Sequence, residues 1–253
     1  MNRYFTRLLP ALLLCGALSS SAAQAGSVTP EQKGEIEEII RGYLLEHPEI
    51  LREMSEKLEN KEKLAEDAVR GKALLENVAA VFKMEADPVL GNPKGDVTIV
   101  EFMDYNCGWC KRSIGEISQL LEKDKNLRIV IKEFPIFGAN SEYAARAALA
   151  AAKQGKYWDI HQMLFSQEGQ ITPEVVDQVA TELGLDMTKL KADMADKSVL
   201  GAISANYDLA KSLQLNGTPA FVIDKTVVPG YMPLDGLEAA VADVRKNGGC
   251  QIC

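Results

Sequence analysis

The chain has 253 residues, of which 28 are basic and 36 are acidic, and its formal net charge at pH 7 is -8. The basic residues are scattered rather than gathered in a stripe, which excludes the phosphate-binding surface typical of nucleic-acid-binding proteins. The length is sufficient for one domain with a full hydrophobic core and a smaller appendage.

The first 25 residues are typical of a secretory signal peptide. Arg3 and Arg7 form a basic start, an apolar run covers residues 8–18, and Ala-Gln-Ala at residues 23–25 provides a cleavage site. The apolar run is too short to cross a membrane as a helix. We therefore expect a periplasmic or secreted protein that is soluble after cleavage, in an oxidising compartment. A lipoprotein cleavage site at Cys15 is the alternative.

Residues 26–86 are expected to form a helical oligomerisation segment. A first helix begins after Thr29, whose hydroxyl can cap it, and ends before Pro48. A second helical stretch runs to about residue 85, with breaks allowed near residues 60 and 71. One face of this stretch has a heptad-like spacing with a weak middle: Leu51, Met54, Leu58, Lys61, Ala65, Ala68, Lys72, Leu75, Ala79 and Phe82.

The apolar stripe of this segment needs a partner. One helix cannot bury such a stripe against itself, so it must pack on the catalytic domain or on another copy of the chain. We favour self-association into a homo-oligomer. A charged helical spacer in solvent is the alternative.

The domain that follows, residues 87–249, is expected to begin with a linker over residues 87–96, where proline and glycine are frequent. A strand over residues 97–103, a helix over 107–124 and a strand over 127–134 come next. Such a strand-helix-strand unit makes its two strands parallel neighbours with a right-handed crossover.

The pattern is helical throughout from about residue 139 to 214 and predicts an inserted helical subdomain. Strands return over residues 220–223 and 226–228, and the two residues between them are typical of a hairpin turn. A last helix covers residues 234–246. Two glycines then precede a C-terminal tail, residues 250–253, with the sequence Cys-Gln-Ile-Cys.

Cys107 and Cys110 form a Cys-x-x-Cys motif at the junction of the first strand and the first helix of the domain. The positive end of the helix dipole and its unpaired N–H groups favour a thiolate on the first sulfur. Cys107 is therefore the candidate nucleophile and Cys110 the candidate resolving thiol. The spacing alone also allows a metal knuckle or a structural loop.

Cys250 and Cys253 form a second Cys-x-x-Cys motif in the tail. We expect an oxidised and inert pair, because a flexible tail has no helix dipole to activate either sulfur. A second dithiol that exchanges electrons with the first, and a Cu(I) site, are the alternatives in that order.

The motifs at residues 100–111 (Val-Glu-Phe-x-Asp-Tyr-Asn-Cys-Gly-x-Cys-Lys) and 217–222 (Gly-Thr-Pro-Ala-Phe-Val) carry a resemblance to a known family. The chain resembles the DsbA-type periplasmic thiol:disulfide oxidoreductases, in the branch with an N-terminal oligomerisation segment, as in ScsC-like and DsbG-like proteins. The resemblance implies an α/β thioredoxin fold with an inserted helical subdomain and an N-terminal helical oligomerisation segment. It implies an enzyme with no cofactor.

The resemblance also implies roles for individual residues. Pro219 takes the position of a cis-proline that lies against the dithiol. Glu101 helps to move the proton of Cys110, and Lys132 is its expected partner; a strand-edge charge in solvent is the alternative for Glu101. The surface that faces the substrate is expected to consist of Gly108, Trp109 and Thr218.

Three neighbouring side chains are interpreted from their positions. His161, at helical spacing among apolar residues, is expected to be a packing histidine rather than a catalyst. Tyr105 and Asn106 are expected to be loop residues that shape the surface beside the dithiol. Gly108-Trp109 stands where DsbA itself has Pro-His, so no imidazole supports the thiolate, and we expect a milder oxidant than DsbA.

The leading hypothesis is a secreted thiol:disulfide oxidoreductase that exchanges disulfides with exported, cysteine-containing proteins through Cys107 and Cys110. A membrane redox partner is expected. Isomerases of this type oligomerise, so the N-terminal segment favours isomerase or dual oxidase/isomerase activity. The alternatives are a plain DsbA-like dithiol oxidase and a periplasmic copper-binding, copper-tolerance protein.

Overall fold

The computed structural model describes residues 29–253, and the expected signal peptide lies outside them. The chain divides into two compact units, one ending at Leu58 and the other beginning at Glu59. No helix within the described residues is both long and apolar enough to span a membrane.

The unit that ends at Leu58 contains α1 (Pro30–Glu46) and the start of α2 (Glu49–Glu76). A capping box starts α1, in which Thr29 and Gln32 each accept a hydrogen bond from the other's backbone N–H. No residue of α1 is buried, and most of the apolar side chains of this unit are exposed: Ile36, Ile39, Ile40, Tyr43, Leu45, Leu51, Met54 and Leu58.

Helix α2 is continuous through Asn60 and Gly71, so the breaks expected there do not occur. A glycine inside a helix costs only about 1 kcal/mol relative to alanine. The surrounding Glu, Lys, Leu and Ala residues are strong helix formers, and the pair Arg70–Glu66, four residues apart, supports the same stretch.

The second unit, which begins at Glu59, is built on a five-stranded sheet with the order β1-β3-β2-β4-β5. Strands β2 and β3 are parallel, with Val97 opposite Leu127, and the other neighbours are antiparallel. The expected parallel strand-helix-strand unit is therefore confirmed. The strands are β1 (Val89–Gly91), β2 (Val97–Met103), β3 (Leu127–Glu133), β4 (Ala220–Ile223) and β5 (Thr226–Val228).

Helices cover the rest of this unit, and five of them, α5 to α9, form the expected insertion between β3 and β4. Helix α4 connects β2 to β3, and α10 follows β5. Their bounds are α3 (Val78–Phe82), α4 (Gly108–Lys123), α5 (Ala139–Ala152), α6 (Tyr157–Ser166), α7 (Pro173–Glu182), α8 (Met187–Met194), α9 (Lys197–Ser212) and α10 (Leu234–Lys246).

Hydrophobic clusters cover both faces of the sheet, and every residue of the central strand β2 is buried. Ile99 and Ile131 belong to the first cluster, which includes α4 and much of the insertion. Val100 and Phe102 belong to the second cluster. Because the side chains of a strand alternate between faces, β2 contributes to both clusters and holds the loop that follows it in a fixed position.

The second cluster includes residues from the segment that was expected to precede the domain. Leu74, Val81 and Phe82 are fully buried within it, next to side chains of β2 and β4. The compact unit therefore extends toward the N-terminus beyond the boundary expected at residue 87.

The expected linker over residues 87–96 is also wrong in part, because it contains the edge strand β1. Leu90 of this strand is buried, and Gly91 has a φ of 75°. A Cβ at Gly91 would lie 2.6 Å from the carbonyl oxygen of Leu127, so only glycine allows this close approach to β3. Asp87, just before the strand, forms a buried ion pair with Lys132. Proline and glycine here mark a short strand held between tight turns.

Candidate active site

The dithiol lies where the sequence placed it, at the carboxyl end of β2 and the start of α4. Cys107 is the N-cap residue of α4, and its Sγ accepts a hydrogen bond from the backbone N–H of Cys110 at 3.3 Å. Both thiols are free, and the exposed fraction is 4% for Cys107 and 1% for Cys110. Sulfur at an N-cap satisfies a helix N–H group that would otherwise be unpaired, and it does so best as a thiolate.

The two sulfurs have opposite acid-base behaviour. Hydrogen bonds from the Cys110 thiol and from the backbone N–H groups of Cys110 and Trp109 lower the pKa of Cys107 to about 6, against the opposing effect of burial. Burial, then a hydrogen bond to Cys107, and then the charges of Glu101 and Cys107 raise the pKa of Cys110 well above its ordinary value. Cys107 is thus largely a thiolate at neutral pH, and Cys110 keeps its proton.

The lowered pKa of Cys107 predicts a particular pH profile for its alkylation by iodoacetamide. With a pKa of about 6, the thiolate fraction rises about tenfold from pH 5 to pH 7 and is then flat to pH 9. An ordinary cysteine, with a pKa of about 8.5, would instead gain roughly another 20-fold between pH 7 and pH 9. Mass spectrometry of alkylated protein measures the rate, and a Cys107→Ser variant should lose the fast phase. A rate that keeps rising above pH 7 would contradict the assignment.

The second motif of the sequence meets the dithiol in space. The Thr218–Pro219 peptide bond is cis, as the resemblance implied, and Pro219 is buried. In its thiol form, Cys107 donates a hydrogen bond to the carbonyl oxygen of Thr218 at 3.1 Å. Thr218, although far from Cys107 in sequence, therefore lies next to the Cys107 sulfur.

Glu101 is buried on β2 and not at a solvated strand edge. Its side chain is 3% exposed and accepts a hydrogen bond from Ser113 Oγ of α4 at 2.6 Å. Burial raises the pKa of this carboxyl to about 7, although the hydrogen bond from Ser113 lowers it. A carboxyl that titrates near neutral pH can accept and return a proton.

Lys132 was expected to pair with Glu101, and this expectation is wrong. In the parallel ladder Glu101 lies opposite Ile131, whereas Lys132 lies opposite Phe102, so the two charged side chains are on opposite faces of the sheet. The Lys132 ammonium instead pairs with Asp87 and donates to the carbonyl oxygen of Ala80 at 2.5 Å.

A buried polar cluster beneath the dithiol loop was missed from the sequence. Glu133 Oε1 accepts hydrogen bonds from the hydroxyls of Tyr157 at 2.7 Å and Tyr105 at 3.1 Å, and His161 Nδ1 lies 3.0 Å from the Tyr105 hydroxyl. Burial raises the pKa of Glu133 to about 8 and lowers that of His161 to about 3. The feature that indicates this cluster is the register between β2 and β3, because Glu133 ends β3 opposite Met103, where the dithiol loop begins.

The contacts of this cluster show the positions of His161 and Tyr105. His161 is buried and neutral and makes stacked contacts with the rings of Tyr157 and Trp158, so the packing histidine is confirmed. Tyr105 is only 4% exposed, so its expected role at the surface is wrong. A tyrosine in a loop can be buried when its hydroxyl finds a partner, which Glu133 provides.

Asn106, the residue before the nucleophile, ties the dithiol loop to the helical insertion. Its Nδ2 donates to Ser141 Oγ at 3.0 Å and to the carbonyl oxygen of Ile171 at 3.3 Å. Its Oδ1 accepts from the backbone N–H of Ile171 at 2.8 Å. The insertion therefore supports the position of Cys107.

The surface beside the dithiol is aromatic and cationic. Trp109 is 56% exposed, as expected, and its ring lies 5.1 Å from that of Tyr231. The Arg112 guanidinium lies 5.2 Å above the Tyr231 ring, and the Tyr231 hydroxyl donates to Glu116 at 2.7 Å. This packing orders the surface, and Gly108 beside it is exposed while Thr218 is half-buried.

Cys250 and Cys253 form a disulfide, but residues 248–253 are not a free tail. The carboxylate of Asp224, in the turn between β4 and β5, accepts hydrogen bonds from the backbone N–H groups of Gln251 at 2.8 Å and Ile252 at 3.1 Å. Both cysteines are half-buried. Two glycines with positive φ reverse the chain after α10, so that it returns to the sheet.

The disulfide lies at the end of the sheet opposite the dithiol. In the antiparallel ladder Ile223 lies opposite Ile99, so the turn at Asp224 is near the start of β2, whereas Cys107 follows its end. The strand from Ile99 to Met103 alone spans about 13 Å. Direct electron exchange between the two cysteine pairs of one chain is incompatible with this geometry.

Comparison with known proteins adds two family matches. The model of the DSBA-like thioredoxin domain matches residues 98–242. The model of the copper resistance protein ScsC N-terminal domain matches residues 32–65.

Three solved structures illustrate the similarity of the fold. A thioredoxin-like oxidoreductase from Silicibacter pomeroyi is 44% identical, with a TM-score of 0.65 over 66% of this chain and 97% of that one. Proteus mirabilis ScsC in a compact conformation is 26% identical, with a TM-score of 0.64 over 85% and 98% of the two chains. The thiol-disulfide exchange protein alpha-DsbA2 of Wolbachia pipientis is 27% identical, with a TM-score of 0.65 over 71% and 98%. The expected thioredoxin fold with a helical insertion is confirmed.

Curated relatives extend well beyond the matched region. The Na(+)/H(+) antiporter NhaA 3 of Salinispora tropica is 30% identical over 173 residues, which are 65% of this chain and 26% of that protein. The chain thus spans about a quarter of the length of the curated relatives it matches.

Proposed function

The chain belongs to the family of DSBA-like thioredoxin domains. We propose that it exchanges disulfides with exported, cysteine-containing proteins through Cys107 and Cys110. The observation that supports the proposal most is the N-cap position of Cys107, which has a pKa of about 6 and lies against Thr218 and the cis-proline. A stabilised thiolate is both a good attacking group and a good leaving group.

The exchange follows from the two sulfurs and one carboxylate. The Cys107 thiolate attacks a client disulfide, forms a mixed disulfide, and releases one client thiolate. Glu101 then takes the proton of Cys110, and the Cys110 thiolate attacks Cys107 Sγ, which releases the second client thiolate and leaves the Cys107–Cys110 disulfide. Oxidation of a client dithiol is the same sequence in reverse. Each direction moves two electrons between the client and the dithiol.

We expect Glu101→Gln to slow the resolving step. The glutamine keeps an oxygen for the Ser113 hydroxyl but cannot accept a proton, so resolution should slow on the order of a hundredfold. With a pKa of about 7, the carboxylate is present above pH 7 and lost as the pH falls through 7. The wild-type resolution rate should therefore rise through pH 7 and then level off, whereas in the variant, where only hydroxide can remove the Cys110 proton, the rate should keep rising with pH without a step near pH 7. Stopped-flow measurement of mixed-disulfide decay provides both readouts.

Glu122→Gln, on the exposed side of α4, is the control and should leave the resolution rate unchanged. If Glu101→Gln kept the wild-type rate and pH profile, the carboxylate would have no part in proton transfer.

The helices before residue 59 support an isomerase or dual activity in an oligomer. Their apolar side chains are largely exposed, as with Ile39 at 69% and Leu51 at 59%, and single exposed helices are not stable alone in water. The match to an ScsC N-terminal domain covers this region. In this proposal the segment assembles copies of the chain in the periplasm, and a membrane redox partner restores the dithiol.

Charged substitutions on the exposed apolar face of α1 test whether isomerase activity depends on assembly. Ile39→Lys combined with Ile40→Lys should lower the assembly mass and abolish rescue of scrambled ribonuclease, while oxidation of reduced ribonuclease is retained. Glu38→Lys, an exposed polar site on the same helix, is the control for added charge. Unchanged mass would contradict self-association through this face, and equal activities of the variant and the wild type in both ribonuclease assays would favour the plain oxidase.

The copper-binding alternative has less support. Residues 32–65, which match the copper resistance model, contain no cysteine and only one histidine, His47. Soft copper sites prefer thiolate and thioether ligands. Metal analysis of the reduced protein separates the alternatives, since stoichiometric copper without disulfide exchange would favour a binding protein.

A further inference from the structure

The segment over residues 248–253 is attached to the domain by contacts other than its disulfide. Asp224 Oδ1 accepts two backbone N–H groups of the segment. Cys250 packs against the first core cluster, and Ile252 and Cys253 pack against the second. Reduction of the disulfide would therefore leave the two sulfurs close to each other and to Asp224.

Three potential metal ligands converge at this point. A sulfur of Cys250, a sulfur of Cys253 and a carboxylate oxygen of Asp224 all lie within 4.8 Å of one another, and the Cα atoms of the two cysteines are 5.8 Å apart. The two backbone N–H groups fix Oδ1 of Asp224, which leaves Oδ2 for a cation. Backbone hydrogen bonds that orient a ligand in this way are typical of built metal sites.

The donor set distinguishes between metals. Two thiolates and one carboxylate suit Zn²⁺, which takes sulfur at about 2.3 Å and oxygen at about 2.0–2.2 Å in a tetrahedron. A carboxylate is a hard ligand, which soft Cu(I) does not favour. Three protein ligands leave the fourth tetrahedral position to water or to a further ligand.

We propose that the reduced Cys250–Cys253 pair and Asp224 bind one Zn²⁺ ion, in a site separate from the active dithiol. A dithiol reductant supplies two electrons and two protons to the disulfide and becomes a disulfide itself. The two cysteine thiols then release their protons as they bind the metal. The segment thus has two states, a disulfide under oxidising conditions and a zinc site under reducing ones.

The full chain with Cys107→Ser and Cys110→Ser tests the proposal, because these changes remove the other two thiols of the described residues. After reduction and anaerobic removal of the reductant, Co²⁺ as a spectroscopic probe should give a sulfur-to-cobalt charge-transfer band that saturates at one equivalent. Zn²⁺ should displace the Co²⁺ and abolish the band. Further replacement of Cys250 and Cys253 by serine should remove the binding.

The role of Asp224 is tested with Asp224→Asn, which keeps an oxygen for the two backbone N–H groups but loses the charge. Zn²⁺ affinity should fall at least about tenfold, while Asp243→Asn, an exposed site on α10, should leave it unchanged. The absence of the band would overturn the proposal. Equal Zn²⁺ affinity in the Asp224→Asn protein would overturn it too.

Discussion

Replacing Cys107 with serine is expected to abolish disulfide exchange, with a loss on the order of a thousandfold or more. A serine hydroxyl is not ionised at neutral pH, and no second sulfur of the described residues is placed to act instead. Cys110 is buried and keeps its proton, and the Cys250–Cys253 pair lies at the other end of the sheet. Oxidation of reduced ribonuclease measures the loss.

Cys110→Ser is the informative partner of this variant. It keeps the attacking thiolate but removes the resolving one, so mixed disulfides with client proteins should accumulate and be visible on non-reducing gels. Replacement of Cys250 and Cys253 by serine is the control and should leave turnover unchanged. Exchange that continued in the Cys107→Ser protein, or stopped in the control, would show that the chemistry lies elsewhere in the chain.

Phe82→Ala is expected to lower the free energy of unfolding by about 3–5 kcal/mol. Phe82 is fully buried in the second core cluster, although it precedes the boundary that the sequence suggested. Removal of the whole segment before residue 87 would also delete Leu74 and Val81, and each buried side chain of this size contributes about 1.5–3 kcal/mol. Such a truncation would remove most of the 5–15 kcal/mol typical of a domain.

Urea denaturation followed by circular dichroism measures this effect in the full chain. Met84→Ala, at a site 37% exposed, is the matched control and should change the stability by no more than about 0.5 kcal/mol. A chain that begins at Glu59 keeps all three buried side chains and should fold, whereas one that begins at Asp87 should not. Equal stability of the Phe82→Ala and Met84→Ala proteins would contradict the core position of Phe82.

The sequence sufficed for elements whose pattern is local. Runs of β-branched and apolar residues and helical spacing predicted β2, α4, β3, both strands of the hairpin and α10 to within one or two residues. The dithiol could be placed at the N-terminus of α4 because its two cysteines directly follow a strand. Cis-Pro219 required the resemblance, since no local pattern distinguishes a cis from a trans bond before proline.

The remaining features depend on pairing between distant residues. The partner of Lys132 follows from the β2–β3 register and from the return of Asp87 to the sheet, neither of which is local. The same register brings Glu133 beneath the dithiol loop, where Tyr105 satisfies it. Short strands such as β1 are also hard to predict, because three residues carry too little alternation to be distinguished from a loop.

The hydrogen bonds of Asn106 limit how freely the parts of this domain could be exchanged among relatives. A helical insertion transplanted from another protein would have to present a hydroxyl where Ser141 stands and, where Ile171 stands, a peptide group whose N–H and C=O are free to pair with Asn106. Without them, the residue before Cys107 would lose its anchor even if every residue of the dithiol motif were kept. The helical insertion and the Cys-x-x-Cys loop therefore depend on each other and would have to be exchanged together.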